Sequence, residues 1–499
     1  MNILQAIHDP RLFRPWFKDL RTWAGWLAYF KALYALPMTA AERETFKACT
    51  GLTDPPAEAS RESFVIASRR SGKSSAAAII AAHLALSQDW KARLAPGERA
   101  WVFIIANDKP QATQIKRYIS GLFTLTPTLK KLVLRETQEA LELRTDVNIS
   151  VKTCSFRTVR GYSCAAVILE EAAFYRSEDS ANPDREILAA VRPALSNLDG
   201  LLLVISSPYA RSGILYDAFR KWYGQTTGPL VWKEASPRML NPTIRESVIA
   251  KALEEDSAAA RSEWFAEFRE DLEQIFSLEA VERCVVPDRA ELPPATGQSY
   301  FGFVDPSGGR ADSFTLGISH RSKTGRLVLD VLREARPPFR PEDVVADYCG
   351  ILKPFGIRQV IADAYAGEWV GSAFDKHGVS VKPSDLPKSD LYLNLLPHVS
   401  NGTIEFLDSK RLVAQLVGLE RRVRAGGRDK VDHYPGGHDD LANAAAGALV
   451  LAAESLSGQA VFRTIPHNVY PDDGDGGFGG RRGVDSESLA FIRRVMGKV

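Results

Sequence analysis

Phe64-Val65-Ile66-Ala67-Ser68-Arg69-Arg70-Ser71-Gly72-Lys73-Ser74 passes from a short apolar run, through a loop of serines and arginines, into an alanine-rich stretch that begins near Ser74. A strand, a glycine-bearing loop and a helix in this order form the context in which Gly-Lys-Ser becomes a phosphate cradle. Backbone N–H groups and the helix N-terminus turn toward the anion. Lys73 pairs with the β/γ oxygens, and the Ser74 hydroxyl helps hold Mg²⁺. Gly72 keeps the backbone close to phosphate, while Arg69, Arg70 and Ser71 complete the loop. Ala67 stands where the first glycine of the motif is usual. The expected ligand is ATP with Mg²⁺.

Working outward, compact apolar runs at 101–106, 148–153, 166–169 and 201–205 are each bounded by polar residues. Such runs read as parallel strands buried on both faces, with helices as crossovers, and hence as a doubly wound α/β domain. The run at 166–169 leads into Glu170-Glu171. Downstream of a phosphate loop, Glu170 is placed to hold the Mg²⁺ shell and Glu171 to polarise the attacking water. Glu170 stands where aspartate is usual, so its longer side chain is expected to reach the metal through another rotamer or through water. The run at 201–205 ends in Ser206-Ser207-Pro208, either a γ-phosphate sensor or a plain strand exit. The Trp-, Phe- and Leu-rich segment up to about residue 36 reads as amphipathic helix packed on this domain, and a charged helical stretch at 246–273 closes it. Pro287, Pro293 and Pro294 then mark a boundary.

Beyond them the rhythm changes. Strands at 300–304, 313–319 and 327–332 lie close together like an antiparallel meander. They are followed by a helix at 341–352, a strand at 358–362 and further α/β elements. This β-β-β-α-β-α order is that of an RNase H-like fold. Asp305 ends the first strand, Asp312 opens the second, Asp363 ends the fourth, and Asp439-Asp440 open a helix. Helix capping accounts for one aspartate there but not for the set. Converging carboxylates repel unless cations intervene. Two Mg²⁺ or Mn²⁺ ions about 4 Å apart would relieve that repulsion and support phosphodiester cleavage. Oxygen-only ligands favour such hard metals over zinc. His433 and His438 lie close enough in sequence to touch metal or phosphate. The basic stretch 420–430 reads either as a track for a DNA backbone or as solvated surface. Residues 456–499 read as a Gly/Asp-rich flexible tail with a short helix.

Composition narrows the field without deciding it. The 499 residues are 45% hydrophobic and 25% charged with a formal net charge of +2, as in ordinary globular proteins. Five cysteines without a C-x-x-C pair argue against a disulfide framework or zinc site and fit a reducing cytoplasm. Residues 1–12 do not read as a secretory signal. The most apolar stretches fall short of the roughly 20 residues that span a bilayer, so no membrane is expected.

Taken in order, Ser68-Arg69-Arg70-Ser71-Gly72-Lys73-Ser74, Ile168-Leu169-Glu170-Glu171-Ala172-Ala173-Phe174, Ser206-Ser207-Pro208, Val304-Asp305-Pro306 and Gly437-His438-Asp439-Asp440 resemble bacteriophage terminase large subunits. The resemblance runs from about residue 30 to 455. It implies an ASCE-type P-loop ATPase followed by an RNase H-like nuclease. The expected division is an N-terminal helical segment at 1–62, the ATPase at 63–275, a linker at 276–296, the nuclease at 297–455 and a tail at 456–499. It further implies that Arg69 contacts phosphate and that Arg160 reaches a neighbouring subunit's ATP. Ser206 and Ser207 would couple hydrolysis to DNA movement. Asp305, Asp363, Asp439 and Asp440 would ligate the nuclease metals, with Asp312 auxiliary. The implied partners are double-stranded DNA, the procapsid portal, a small terminase subunit and other copies of the chain in a ring, commonly of five. The implied location is the host bacterial cytoplasm and, transiently, the portal vertex, not the mature virion. A helicase–nuclease or repair ATPase would carry the same two sites. A non-catalytic prophage remnant would be expected to have lost Lys73 or an acidic ligand.

Overall fold

Cys164–Glu170 and Leu201–Ser206 are buried at every position, as expected of central strands covered on both faces. In the computed structural model, which describes residues 1–153, 159, 161–175, 177, 180–310, 312–363, 368–422, 430–434 and 437–455, they lie inside an eight-stranded sheet. Its strands are β1 (Glu62–Ile66), β2 (Ala100–Ala106), β3 (Val133–Glu136), β4 (Ala140–Leu143), β5 (Val147–Thr153), β6 (Cys164–Glu170), β7 (Leu201–Ser206) and β8 (Leu230–Lys233). They are ordered β3-β4-β5-β2-β6-β7-β1-β8. From β5 to β8 every pairing is parallel. β7 lies between the loop-bearing strand β1 and the acidic strand β6, the additional-strand order of the ASCE type. The expected parallel sheet is therefore correct for the centre but is mixed at one edge, where β3 and β4 run antiparallel. That ribbon has no apolar run: β3 is exposed beyond Val133, and β4 alternates.

Helix Lys73–Ser87 is buried over almost all of its length, which is why its sequence is alanine, isoleucine and leucine. The N-terminal helices Ile3–His8, Ala24–Leu33 and Ala40–Thr50 share its core through Ile3, Trp26, Phe30 and Phe46. The expected helical stretch 246–273 is two helices, Glu246–Glu255 and Ser257–Phe265. The Asp256 side chain accepts the Ala259 N–H and starts the second. Ala266, at φ +53°, ends it.

The chain divides into two units. The first takes in Met1–Arg176 and Asn182–Glu270, and the second Ser177–Ala181 and the described residues from Asp271 onward. The stretch expected as a linker, 276–296, is structured: helix Leu278–Glu282 lies in it, and Phe276, Val281 and Cys284 are buried in the second unit's core. This unit contains β9 (Leu272–Gln274), β10 (Tyr300–Asp305), β11 (Phe314–Arg321), β12 (Leu327–Ala335), β13 (Gln359–Ala362), β14 (Ser380–Pro383), β15 (Ile404–Glu405), β16 (Leu419–Arg422) and β17 (Lys430–His433). Six of these form a sheet in the order β14-β13-β10-β11-β12-β15. β11 is antiparallel to β10 and β12, while β13 and β14 run parallel to β10. That is the topology expected of an RNase H-like domain, with β15 added beside β12.

Alternation along β11 sorts the two faces. Leu316 and Ile318 enter one core with helix Pro341–Leu352. Gly317 and Ser319 face helix Asp440–Glu454 instead. Ser319 Oγ donates to the Ala448 carbonyl at 2.7 Å, and a Cβ on Gly317 would lie 2.4 Å from the Ala444 carbonyl oxygen. Gly447 answers from the helix, where a Cβ would lie 2.3 Å from the Phe303 ring. This close approach brings the helix N-terminus to the strand ends. Among the described residues, no helix is long and apolar enough to cross a membrane. The expected tail lies outside the described residues.

Candidate active sites

Parallel register sets the first site. Ile66 pairs with Ser206, and Glu170 with Ile205, so three strands deliver their C-terminal ends to one edge. The loop after β1 turns through Arg70 at φ +60° and Gly72 at φ +93°, a region where a side chain is strained. Lys73 is buried. Its ammonium donates to the Ser68 carbonyl at 2.9 Å and to Ser207 Oγ at 2.7 Å, and lies 3.3 Å from Glu171 Oε1. The other oxygen of Glu171 accepts the Ser207 N–H at 2.9 Å. Ser206 Oγ lies 3.0 Å from that oxygen and 2.8 Å from the Ser207 carbonyl, so its one proton can serve only one of them at a time. Glu171 adopts φ +54°, uncommon for a non-glycine residue and typical of functional positions. Lys73, Glu171, Ser206 and Ser207 thus form one connected polar group.

Glu170 is fully buried and receives the Ser74 hydroxyl on Oε1, while its Oε2 has no hydrogen-bond partner among the described residues. Burial pushes its carboxyl up to about 7, and Glu171 adds to the shift. The glutamate side chain is long enough to meet the Ser74 hydroxyl directly. A hydroxyl against a carboxylate with an unpartnered buried oxygen fits the oxygen donors that Mg²⁺ takes.

Arg69 does not point into the cradle. Its guanidinium binds Glu263 Oε1 at 2.7 Å, and its N–H donates to the Glu263 carbonyl. Arg70 is exposed, and Asn241 Nδ2 donates to its carbonyl at 2.8 Å. Arg160 lies outside the described residues. Sequence reasoning missed two groups that shape the loop. Trp26 Nε1 donates to the Ser71 carbonyl at 2.7 Å. Glu234, buried just past β8, accepts the N–H groups of Ser68 at 2.7 Å and Leu240 at 3.2 Å. Burial holds Glu234 above the usual carboxylate range. Its signal was present: Leu230-Val231-Trp232-Lys233-Glu234 is an apolar run ending in an acid, as the run before Glu170 is.

In the second unit, Val304 pairs with Ala362, so Asp305 and Asp363 leave neighbouring strand ends side by side. Asn443, buried one turn into helix Asp440–Glu454, donates through Nδ2 to Asp305 Oδ2 at 2.7 Å and Asp363 Oδ2 at 3.0 Å. Thr315 Oγ1 donates to the Asp440 carbonyl at 2.8 Å, which ties the helix start to β11. Burial pushes Asp305 up to about 7, with Asp363 and Asp440 adding to the shift. Asp440 is raised by burial and then by Asp439. Asp440 Oδ2 and Asn443 Oδ1 are buried without a hydrogen bond among the described residues.

Asp439 behaves differently. Lys388 Nζ donates to its Oδ1 at 2.6 Å and the Tyr392 hydroxyl to its Oδ2 at 2.9 Å. Asp312 is exposed, and its carbonyl accepts from Ser307 Oγ. His433 Nδ1 faces the Tyr434 carbonyl at 2.8 Å, and His438 Nδ1 lies 3.9 Å from Asp440 Oδ2. Residues 423–429 of the basic stretch lie outside the described residues. Among the described residues, no group of three or more His, Cys, Asp and Glu side chains is arranged as a metal cage. The Asn443 amide bridges two of the candidates, and Asp439 is turned to a lysine. Asp305, Asp363 and Asp440 still fit a hard cation: their donors are all oxygen, the charges of Asp363 and Asp440 push against that of Asp305, and an Asp440 oxygen is buried without a hydrogen bond among the described residues.

No protein-family model matches the chain, and neither does any curated protein. Among solved structures it is similar to the large terminase of bacteriophage HK97, at 18% identity and a TM-score of 0.37, over 84% of this chain and 96% of that one. It is also similar to the large-terminase ATPase domain of Thermus phage P74-26, at 20% identity and a TM-score of 0.32, over 48% and 97%. The magnesium-bound large-terminase nuclease of thermophilic phage G20c aligns at 19% identity and a TM-score of 0.31, over 36% and 96%. At these scores the likenesses add nothing to what the site residues argue.

Proposed function

We propose that this chain is a DNA-packaging enzyme of the large-terminase kind, with an ATPase in its first unit and a metal-dependent DNA nuclease in its second. The observation that carries the reading is the pairing within one chain. A loop lysine joined to Glu171, Ser206 and Ser207 stands at the edge of an ASCE-type sheet, while Asp305 and Asp363 stand at strand ends of an RNase H-like sheet and Asp440 opens the helix Asp440–Glu454.

In the first site, Lys73 and the N–H groups of the loop bind the β/γ-phosphates, while Ser74 and Glu170 hold Mg²⁺. Glu171 orients the attacking water. Its bonds to Ser206 and Ser207 give a route by which loss of the γ-phosphate reaches the strand end and the segment after it. Arg160 acts as a finger on a neighbouring subunit's nucleotide, and Arg69 turns from Glu263 to phosphate. In the second site Asp305, Asp363 and Asp440 hold Mg²⁺ or Mn²⁺, two ions when fully loaded. Such ions supply an activated water and steady the leaving oxygen of a cut phosphodiester. The chain works on double-stranded DNA as a ring of copies, five by the resemblance, on the procapsid portal, with a small terminase subunit choosing the DNA. It acts in the host cytoplasm and meets the portal vertex only during packaging.

The reciprocal pair Lys73→Ala and Asp363→Ala tests the reading. Lys73→Ala is expected to lose ATP hydrolysis and keep plasmid cleavage, and Asp363→Ala to do the reverse. Loss of both activities in both variants, with folding intact, would refute the assignment of separate sites.

A further inference from the structure

Asp439 and Asp440 are neighbours in sequence, yet the structure gives them different work. Successive residues entering a helix point about 100° apart, so two adjacent carboxylates cannot face one metal cluster equally. Asp440 is the one whose charge acts on Asp305, and its Oδ2 is buried without a hydrogen bond among the described residues. Asp439 is 2% exposed, and both of its oxygens are engaged, by Lys388 and by Tyr392. Tyr392 is completely buried, one helical turn beyond Lys388 on helix Lys388–Ser400. Lys388 is therefore gripped from the protein side, while 30% of its side chain remains open to solvent. Burial alone would weaken its charge, but Asp439, Asp305 and Asp432 together hold it firmly protonated. An ammonium carries three N–H donors, and Asp439 takes one.

A buried carboxylate whose two oxygens are spent on a lysine and a tyrosine makes a poor metal ligand and a good anchor. We propose that Lys388 is a catalytic residue of the nuclease site that contacts a phosphate oxygen of the DNA being cut, and that Asp439 and Tyr392 are positioning residues for it rather than metal ligands. This rests on the nuclease reading above. An ammonium beside the Asp305 cluster offsets the charge that a phosphodiester brings to an acidic site and fixes where the phosphate sits. Asp439 aims the ammonium, and the Tyr392 hydroxyl fixes the second oxygen so that the carboxylate cannot turn toward the metals.

The test uses the full chain, with Mn²⁺ as the metal probe and a DNA duplex as substrate. Asp439→Asn is expected to keep Mn²⁺ binding, read by electron paramagnetic resonance, whereas Asp440→Asn loses it. Lys388→Ala is expected to slow single-turnover cleavage by about 100-fold. In metal-free binding it should lower the slope of log affinity against log salt by about one, with Lys388→Arg restoring the slope. Lys388→Ala leaves Asp439 buried and uncompensated, so the double variant Lys388→Ala/Asp439→Asn guards against a folding failure. It should fold, bind Mn²⁺ and cut as slowly as Lys388→Ala. Loss of Mn²⁺ binding in Asp439→Asn, or cleavage at the wild-type rate by the double variant, overturns the proposal alone. Wild-type protein that neither binds Mn²⁺ nor cuts overturns the nuclease reading and this inference with it.

Discussion

The two sites are built from the same parts, carboxylates at the ends of buried strands, but they balance charge differently. In the first unit a lysine sits inside the group: Lys73 faces Glu171, and the Ser207 N–H secures the other carboxylate oxygen. In the second unit a neutral amide holds Asp305 and Asp363, while Lys388 bonds to Asp439 rather than to either of them among the described contacts. In the first site a fixed lysine faces one carboxylate, Glu171, while the neighbouring Glu170 keeps a buried oxygen without a hydrogen-bond partner among the described residues. In the second the amide donates to two carboxylates but cannot neutralise them. A loop that takes up a polyanion needs a fixed cation; a site that takes up metal ions needs anionic oxygen ligands.

The sharpest way to break this contrast is to add metal. Mn²⁺ at about 100 times its dissociation constant should stabilise the protein by about 2.7 kcal/mol, read as a rise in Tm. Asp305→Asn should abolish the rise. An equal rise in that variant would mean that the metal binds elsewhere.

Glu234 probes how far the first site is preset. Glu234→Gln leaves one of the two loop N–H groups facing an amide NH₂, at a cost of about 1–3 kcal/mol, seen as a lower Tm and a higher KM for ATP. The sign with pH follows from burial, which raises the folded-state pKa of Glu234 above that of an ordinary glutamate. The unfolded state therefore loses its proton first, and this group's contribution to stability is full below the ordinary range and lost as pH rises through the raised value. As pH rises from the ordinary carboxylate range through that raised value, the wild type should thus lose more stability than Glu234→Gln. Equal slopes would show that Glu234 is not the group responsible.

Ser206→Ala removes one hydroxyl from Glu171, at a cost of about 1 kcal/mol. It is expected to reduce DNA-stimulated ATP turnover while leaving nucleotide binding nearly intact. A change in ATP affinity alone would make Ser206 part of the cradle rather than a link from it. The smallest effect belongs to Asp312→Asn. This residue is exposed, so stability should move by no more than about 0.5 kcal/mol, with Mn²⁺ binding unchanged.

Contiguity decided what could be read from sequence. Strand β1, its loop and its helix are consecutive, so Gly72, Lys73 and Ser74 stood out from spacing alone, as did Glu170 and Glu171 after an apolar run. Asp305 and Asp363 were visible for the same reason, since each ends a buried strand. What escaped depends on partners far along the chain. The different tasks of Asp439 and Asp440 are set by Lys388 and Tyr392, about fifty residues earlier. The turn of Arg69 toward Glu263 depends on a helix nearly two hundred residues later. The 276–296 stretch looked like a linker because its prolines are conspicuous, whereas Phe276, Val281 and Cys284 are too widely spaced to show a period. The β3–β4 ribbon was hidden because an edge pair needs only alternation, and over four residues alternation is indistinguishable from loop.

The most direct measurement is plasmid cleavage by the purified protein with Mn²⁺, wild type against Asp305→Ala, with ATP hydrolysis measured on the same samples. The two-site account predicts metal-dependent cutting that vanishes in the variant while its ATPase stays at the wild-type rate. Cutting that survives Asp305→Ala, or ATPase lost together with it, would contradict the account.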